Sequence, residues 1–88
     1  MPPEVRIYEK GKLTLNRFTF AAVGDELPLH SHEEGAAHLT ICRKGRLHIF
    51  GEGWQRELVP GDMIFFEPNQ MHAYRALEAG SVIVNIPY

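Results

Sequence analysis

The 88-residue sequence contains one cysteine. No intramolecular disulfide can brace it, and a reducing cytoplasm is the compartment expected. Long apolar runs are missing as well. No stretch approaches the roughly 18–20 apolar residues of a membrane span. The opening MPPEVRIYEKGK lacks the apolar centre of a secretory signal. An excess of positive charge is also absent. Nine Lys and Arg against eleven Asp and Glu give a net charge of −2, which argues against nucleic acid and against a polybasic membrane anchor. No window shows a 3.6-residue apolar stripe, so helices are not expected. There is no linker, repeat or low-complexity segment, and residues 1–88 are expected to form one domain.

What is present is short-range alternation. Leu39 and Ile41 alternate with His38, Thr40 and Cys42, and Leu47 and Ile49 alternate with Arg46, His48 and Phe50. Leu13 and Leu15 follow the same rule, then Phe18 and Phe20 repeat it after a phase slip. A period of two marks strands with one buried face. Eight glycines punctuate the chain, and Pro60-Gly61-Asp62 and Glu67-Pro68-Asn69-Gln70 carry turn chemistry. The expected strands lie near 4–8, 13–22, 27–32, 37–43, 46–51, 54–58, 63–66, 71–76 and 81–86. Many short strands with regular turns indicate an all-β sandwich or barrel.

Five histidines are the compositional oddity. His30 and His32 stand two apart, so on a strand they share a face, roughly 6.6 Å apart along it. Two imidazoles placed so can converge on one ion at about 2.1 Å each. His38 opens the next strand after a Gly-Ala-Ala loop, and His72 opens another after the Pro-Asn-Gln turn. His48 falls out of phase with the buried Leu47 and Ile49, which suits a surface or subunit-interface role.

The run Gly24, five residues, His30-Ser31-His32, then His38, six residues and Gly45 resembles the first motif of the cupin superfamily, G-x5-H-x-H-x3,4-E-x6-G. Pro60 to His72 resembles the second, G-x5-P-x-G-x2-H-x3-N. Together they cover residues 24–76. The resemblance implies a small jelly-roll barrel. It also implies a metal centre, with His30, His32 and His72 as ligands and His38 in the slot the family gives to glutamate. The second motif departs from the pattern at Glu67, Asn69 and Ala76, where the family has proline, glycine and asparagine. Four neutral histidines would leave an ion its full charge and make it a stronger Lewis acid than a set containing glutamate. One divalent transition ion per chain is expected, with Mn, Fe, Ni, Zn and Cu all compatible with imidazole.

Tyr74 shares a face with His72, and Glu34 sits in the loop over the mouth; these two are the catalytic candidates. Their plainer readings are a barrel-wall aromatic and a solvated charge. Cys42 lies roughly 13 Å from His38 at strand rise, too far for the same ion, and reads as a buried thiol. The expected activity is metal-dependent dioxygenase chemistry on a small chelating substrate, with an isomerase or lyase close behind. The readings from other classes are a sensing module that binds a carbohydrate-like ligand without turnover, and a barrel that uses metal only for stability. Homodimers are frequent among cupins. Phe50, Trp54 and Val82-Ile83-Val84 could supply an interface, so a homodimer is expected.

Overall fold

The computed structural model describes residues 1–30, 37–68 and 70–87, with Leu29 and His30 described by their backbone alone. Among the described residues nine strands follow one another: β1 (Glu4–Lys10), β2 (Leu13–Phe20), β3 (Glu26–His30), β4 (His38–Lys44), β5 (Leu47–Gly51), β6 (Trp54–Leu58), β7 (Met63–Phe66), β8 (His72–Ala76) and β9 (Ser81–Pro87). They pair antiparallel into two sheets, ordered β1-β2-β9-β4-β7 and β3-β8-β5-β6. This is an all-β jelly roll. Among the described residues no helix is long and apolar enough to cross a membrane.

Alternation sets which side chains meet between the sheets. On β4, His38, Thr40 and Cys42 are buried while Leu39 and Ile41 are half-exposed. On β9, Ser81, Ile83 and Asn85 point inward, between half-exposed Val82, Val84 and Ile86. Leu47 and Ile49 of β5 and Tyr74 and Ala76 of β8 close the core from the other sheet, with Phe20, Leu58 and Phe66. Each fully buried large apolar side chain contributes about 1.5–3 kcal/mol.

The apolar phase slip in β2 is a change of face rather than a bulge. Pairing with β1 runs unbroken from Leu13↔Lys10 to Thr19↔Glu4, so Leu13 and Leu15 lie on the outer face. Phe20 is in the core and Phe18 packs against it. The interface expected from Val82-Ile83-Val84 and Trp54 is altered in the same way: Ile83 is fully buried, and Trp54 packs against the core. Alternation within β9 turns the middle residue of the apolar triplet inward.

Gly45, between β4 and β5, adopts φ +77°. A Cβ there would collide with Ser81, whose Cα would lie 2.8 Å away. The Ser81 hydroxyl accepts from the Arg46 amide at 3.2 Å and faces the carbonyls of Arg46 and Glu78, so it cannot yield without loss. Gly45→Ala is expected to lower stability by on the order of 2–3 kcal/mol, combining left-handed strain with overpacking. Gly53→Ala, at φ +75° with open space around it, should cost only about 1–2 kcal/mol. Urea denaturation of both variants checks the difference; equal losses would show that the Ser81 contact is unimportant.

Candidate metal centre

His38 and His72 each open a strand, and those strands are inner members of the two facing sheets. Their first residues therefore meet at one end of the sandwich. His38 lies opposite Phe66 of β7 and Pro87 of β9, and His72 lies opposite His30 of β3. His38 is 3% exposed and His72 fully buried. Their ring centres are 5.1 Å apart. Phe66 stacks on His72 at 4.1 Å with the planes 19° apart, and it sits 5.0 Å from His38. Tyr74, two residues beyond His72, meets that ring edge-on at 5.6 Å.

Hydrogen bonds fix proton positions in this cluster. His72 Nδ1 lies 2.7 Å from the carbonyl oxygen of Gln70. A carbonyl only accepts, so Nδ1 carries the hydrogen and the neutral ring's lone pair is on Nε2. The Thr40 hydroxyl donates to Asn85 Oδ1 at 2.6 Å. Its proton is thereby used, so at the 2.8 Å contact with Tyr74 the phenol donates to Thr40 Oγ1. At the 3.3 Å contact between His38 Nε2 and the Tyr74 oxygen, the imidazole N–H then donates. Burial pushes the Tyr74 phenol well above its ordinary value, although the hydrogen bonds of Thr40 and Asn85 pull the other way. Tyr74 is a neutral hydrogen-bonding group here and not a phenolate base. Burial likewise raises the Cys42 thiol; it is fully inside the core and is not a reactive thiolate.

The structure brings His38, His72 and Tyr74 together and sets the backbone of His30 across from His72. His32 and Glu34 lie outside the described residues. Among the described residues no group of three or more His, Cys, Asp or Glu is placed to hold a metal. The pair that is described nevertheless fits one. Imidazoles sharing an ion at about 2.1 Å have ring centres roughly 5 Å apart, and His72 turns a defined lone pair away from the Gln70 carbonyl. For His38 to ligate through Nε2 it must give up its N–H contact with Tyr74, which at 3.3 Å is long for a hydrogen bond. His48 is outside this cluster, bonded to Gln55 at 2.8 Å and stacked on Phe50.

Thr40, Asn85, Phe66 and the Gln70 carbonyl were not singled out for this role by the sequence. Thr40 shares the parity of His38. Asn85 is a polar residue in the inward phase of an apolar strand, a signal that was available. The Gln70 carbonyl was not legible, because a main-chain acceptor carries no residue signature.

The Tyr74 phenol has a measurable consequence. The folded chain keeps its proton at pH values where the unfolded chain, with a phenol pKa of about 10, loses it. Unfolding free energy therefore falls as pH rises past about 10. Tyr74→Phe is expected to cost about 1–2 kcal/mol at neutral pH through lost hydrogen bonds. It should also flatten the alkaline decline, measured by urea denaturation between pH 7 and 11. Parallel pH profiles for the two proteins would contradict the assignment.

A family model described as "Cupin domain", Cupin_2, matches residues 16–85. No curated protein is similar enough to count as a relative. Among solved structures, KdgF from Halomonas sp. superposes with a TM-score of 0.84 at 25% identity, over 94% of this chain and 76% of that one. An RmlC-like cupin from Desulfovibrio desulfuricans gives 0.82 at 23% identity, over 98% and 82%. The Cupin_2 domain of an XRE family transcriptional regulator from Enterobacter cloacae gives 0.84 at 19% identity, over 100% and 97%. With strand order, buried histidines and a family match over most of its length in agreement, the chain belongs to the Cupin_2 family of cupin domains.

Proposed function

We propose that this cupin binds one divalent transition ion through His30, His32, His38 and His72 and oxidises a small chelating substrate with dioxygen. The supporting observation is His72, buried against Phe66 and held by the Gln70 carbonyl so that Nε2 is its acceptor nitrogen. That is the arrangement of a metal-ligating imidazole with its second nitrogen anchored. An ion bound by neutral imidazoles keeps its full charge and supplies Lewis-acid and, as Mn or Fe, redox chemistry toward bidentate oxygen ligands such as diketones, enediols or catechols. Ni, Zn and Cu suit the same donors.

The chain's own groups do the remaining work. Phe66 fixes the His72 ring plane and keeps water from its face. Tyr74, a neutral phenol tied to Thr40 and Asn85, lines the site beside His38 and can accept a hydrogen bond from a bound ligand once His38 Nε2 turns to the ion. Glu34 is the proposed proton acceptor of the mouth loop. Isomerisation or elimination at carbon requires a base beside the substrate. Glu34 would be that base, and a metal-dependent isomerase or lyase is the nearest alternative. A second reading, a sensing module that binds the same class of ligand without turnover, draws support from the likeness to the regulator's cupin domain over 97% of that chain.

Elemental analysis of protein purified without added metal is expected to find about one transition ion per chain. His72→Ala and His30→Ala/His32→Ala should lose most of it, and His48→Ala should keep it. Chelation should lower the melting temperature of the wild type, because an ion bound only by the folded chain stabilises it. With Mn or Fe loaded, oxygen uptake on a panel of chelating substrates should be abolished in His32→Ala. Tyr74→Phe should reduce it several-fold with metal content unchanged. Full occupancy in the double variant would overturn the metal assignment. Tight ligand binding with neither oxygen uptake nor isomerisation under any metal would establish the sensing module instead.

A further inference from the structure

The larger sheet has an outer face, turned away from the histidines, and a trough of about 600 Å³ lies on it. Its floor is the half-exposed Val82 and Val84 of β9. Leu15 and Arg17 of β2 form one bank, and Ile41, Arg43 and Lys44 of β4 form the other. Consecutive strand residues ordinarily point to opposite faces. Arg43 and Lys44 share this one because β4 carries a bulge: Cys42 opposes Ile83, Lys44 opposes Val82, and Arg43 is the extra residue. Bulges re-aim side chains in this manner. Arg17 stands across β9 from them, in one row with Val84 and Ile41, so about 10 Å separates the backbones of the two banks. Among the described residues no carboxylate lines the trough, and none of its three cations forms an ion pair. Arg17 lies over the Tyr8 ring at 5.7 Å. Its Nε is buried without a hydrogen-bond partner, a donor whose desolvation a ligand would offset.

We propose that this trough binds a small phosphate monoester with an apolar body. The phosphate sits between Arg17 and the Arg43–Lys44 pair, and the body lies along Val82, Val84, Ile41 and Leu15. Charge selects the head. A phosphate monoester carries about −1.5 to −2 at pH 7 and three strong acceptor oxygens, against three cationic side chains in the trough. Arginine forks match phosphate oxygens in pairs. The apolar floor selects the body, since an ion without one would leave the valines in water. The volume is that of a small-molecule site. A second copy of the chain fits the face poorly. Two-fold pairing sets a patch against itself, which would bring like charges together with no carboxylate to separate them. The site shares no residue with the histidine cluster, and binding there does not depend on the metal or on turnover.

The test is calorimetric titration of the purified full chain with n-octyl phosphate below its micelle concentration, with amide NMR shifts to locate the contact. Binding is expected, with shifts centred on Arg17, Ile41, Arg43, Lys44, Val82 and Val84. Arg17→Met, which keeps the apolar stem, and the exposed Arg43→Gln should each weaken it on the order of tenfold, with circular dichroism unchanged. Inorganic phosphate and octanol should each bind at least about tenfold more weakly, since each supplies one half of the ligand. His72→Ala should bind octyl phosphate as the wild type does. Phosphatidylcholine vesicles containing phosphatidic acid, which offer the same head on a membrane, should not retain the protein. The proposal would be overturned by no binding, or by an affinity that both arginine variants keep. Loss of binding in His72→Ala would place the anion at the histidine centre instead, and inorganic phosphate as tight as the ester would show an ion site only. Retention by the vesicles would assign the face to a lipid surface. An unliganded dimer that Val84→Lys dissolves would assign it to a second copy; either result contradicts the small-molecule site.

Discussion

The Tyr74 hydroxyl crosses from the smaller sheet to the larger one inside the buried space between them. It meets Thr40 of β4 at 2.8 Å, and Thr40 meets Asn85 of β9 at 2.6 Å. Thr40 and Asn85 are directly opposed in the β4–β9 ladder, and the contact requires that register. A polar group left unsatisfied at this depth costs about 1–3 kcal/mol. A one-residue slip of either strand would turn Thr40 or Asn85 outward and leave the phenol without its partners. Hydrophobic burial drives the two sheets together, but it tolerates many arrangements. The three-residue polar chain tolerates few, and it fixes which row of β8 faces which row of β4.

The histidine cluster is an extension of those rows. His38 lies two residues before Thr40, and His72 two residues before Tyr74, so the alternation that buries the network also points both imidazoles inward at the sandwich end. Phe66, opposite His38 in the β4–β7 ladder, supplies the wall on which His72 stacks. Core and site therefore share residues. Tyr74 packs in the hydrophobic cluster through its ring and touches His38 through its oxygen. Disturbing it perturbs stability and the surroundings of His38 together. Ligand histidines on strands, with their neighbours locked by packing, are also held more accurately than ligands on loops.

The nine strands were legible because apolar alternation and turn residues gave the same answer along most of the chain. Two motifs of glycine, histidine and proline spacing were enough to locate His38 and His72 at strand starts. Three things were obscured. In β2 a change of apolar face looks like a slip in phase, since sequence alone does not say which face has a second sheet beneath it. Thr40 and Asn85 read as ordinary polar residues because their partners are some 34–45 positions away. The anchor of His72 is a main-chain carbonyl, whose position depends on the turn before β8 and not on the side chain of Gln70. In the second motif Glu67 occupies the proline position, yet the turn still forms: the Gln70 side chain accepts from the Glu67 amide at 3.1 Å.

The proposed metal centre is built from neutral imidazoles at the end of the Tyr74 network. X-ray absorption at the K-edge of the ion carried by the purified protein addresses it directly. The expected spectrum shows a nitrogen and oxygen shell at about 2.0–2.2 Å with the multiple-scattering signature of three to four imidazoles. A shell containing sulfur from Cys42, or one of oxygen donors with at most a single imidazole, would contradict it.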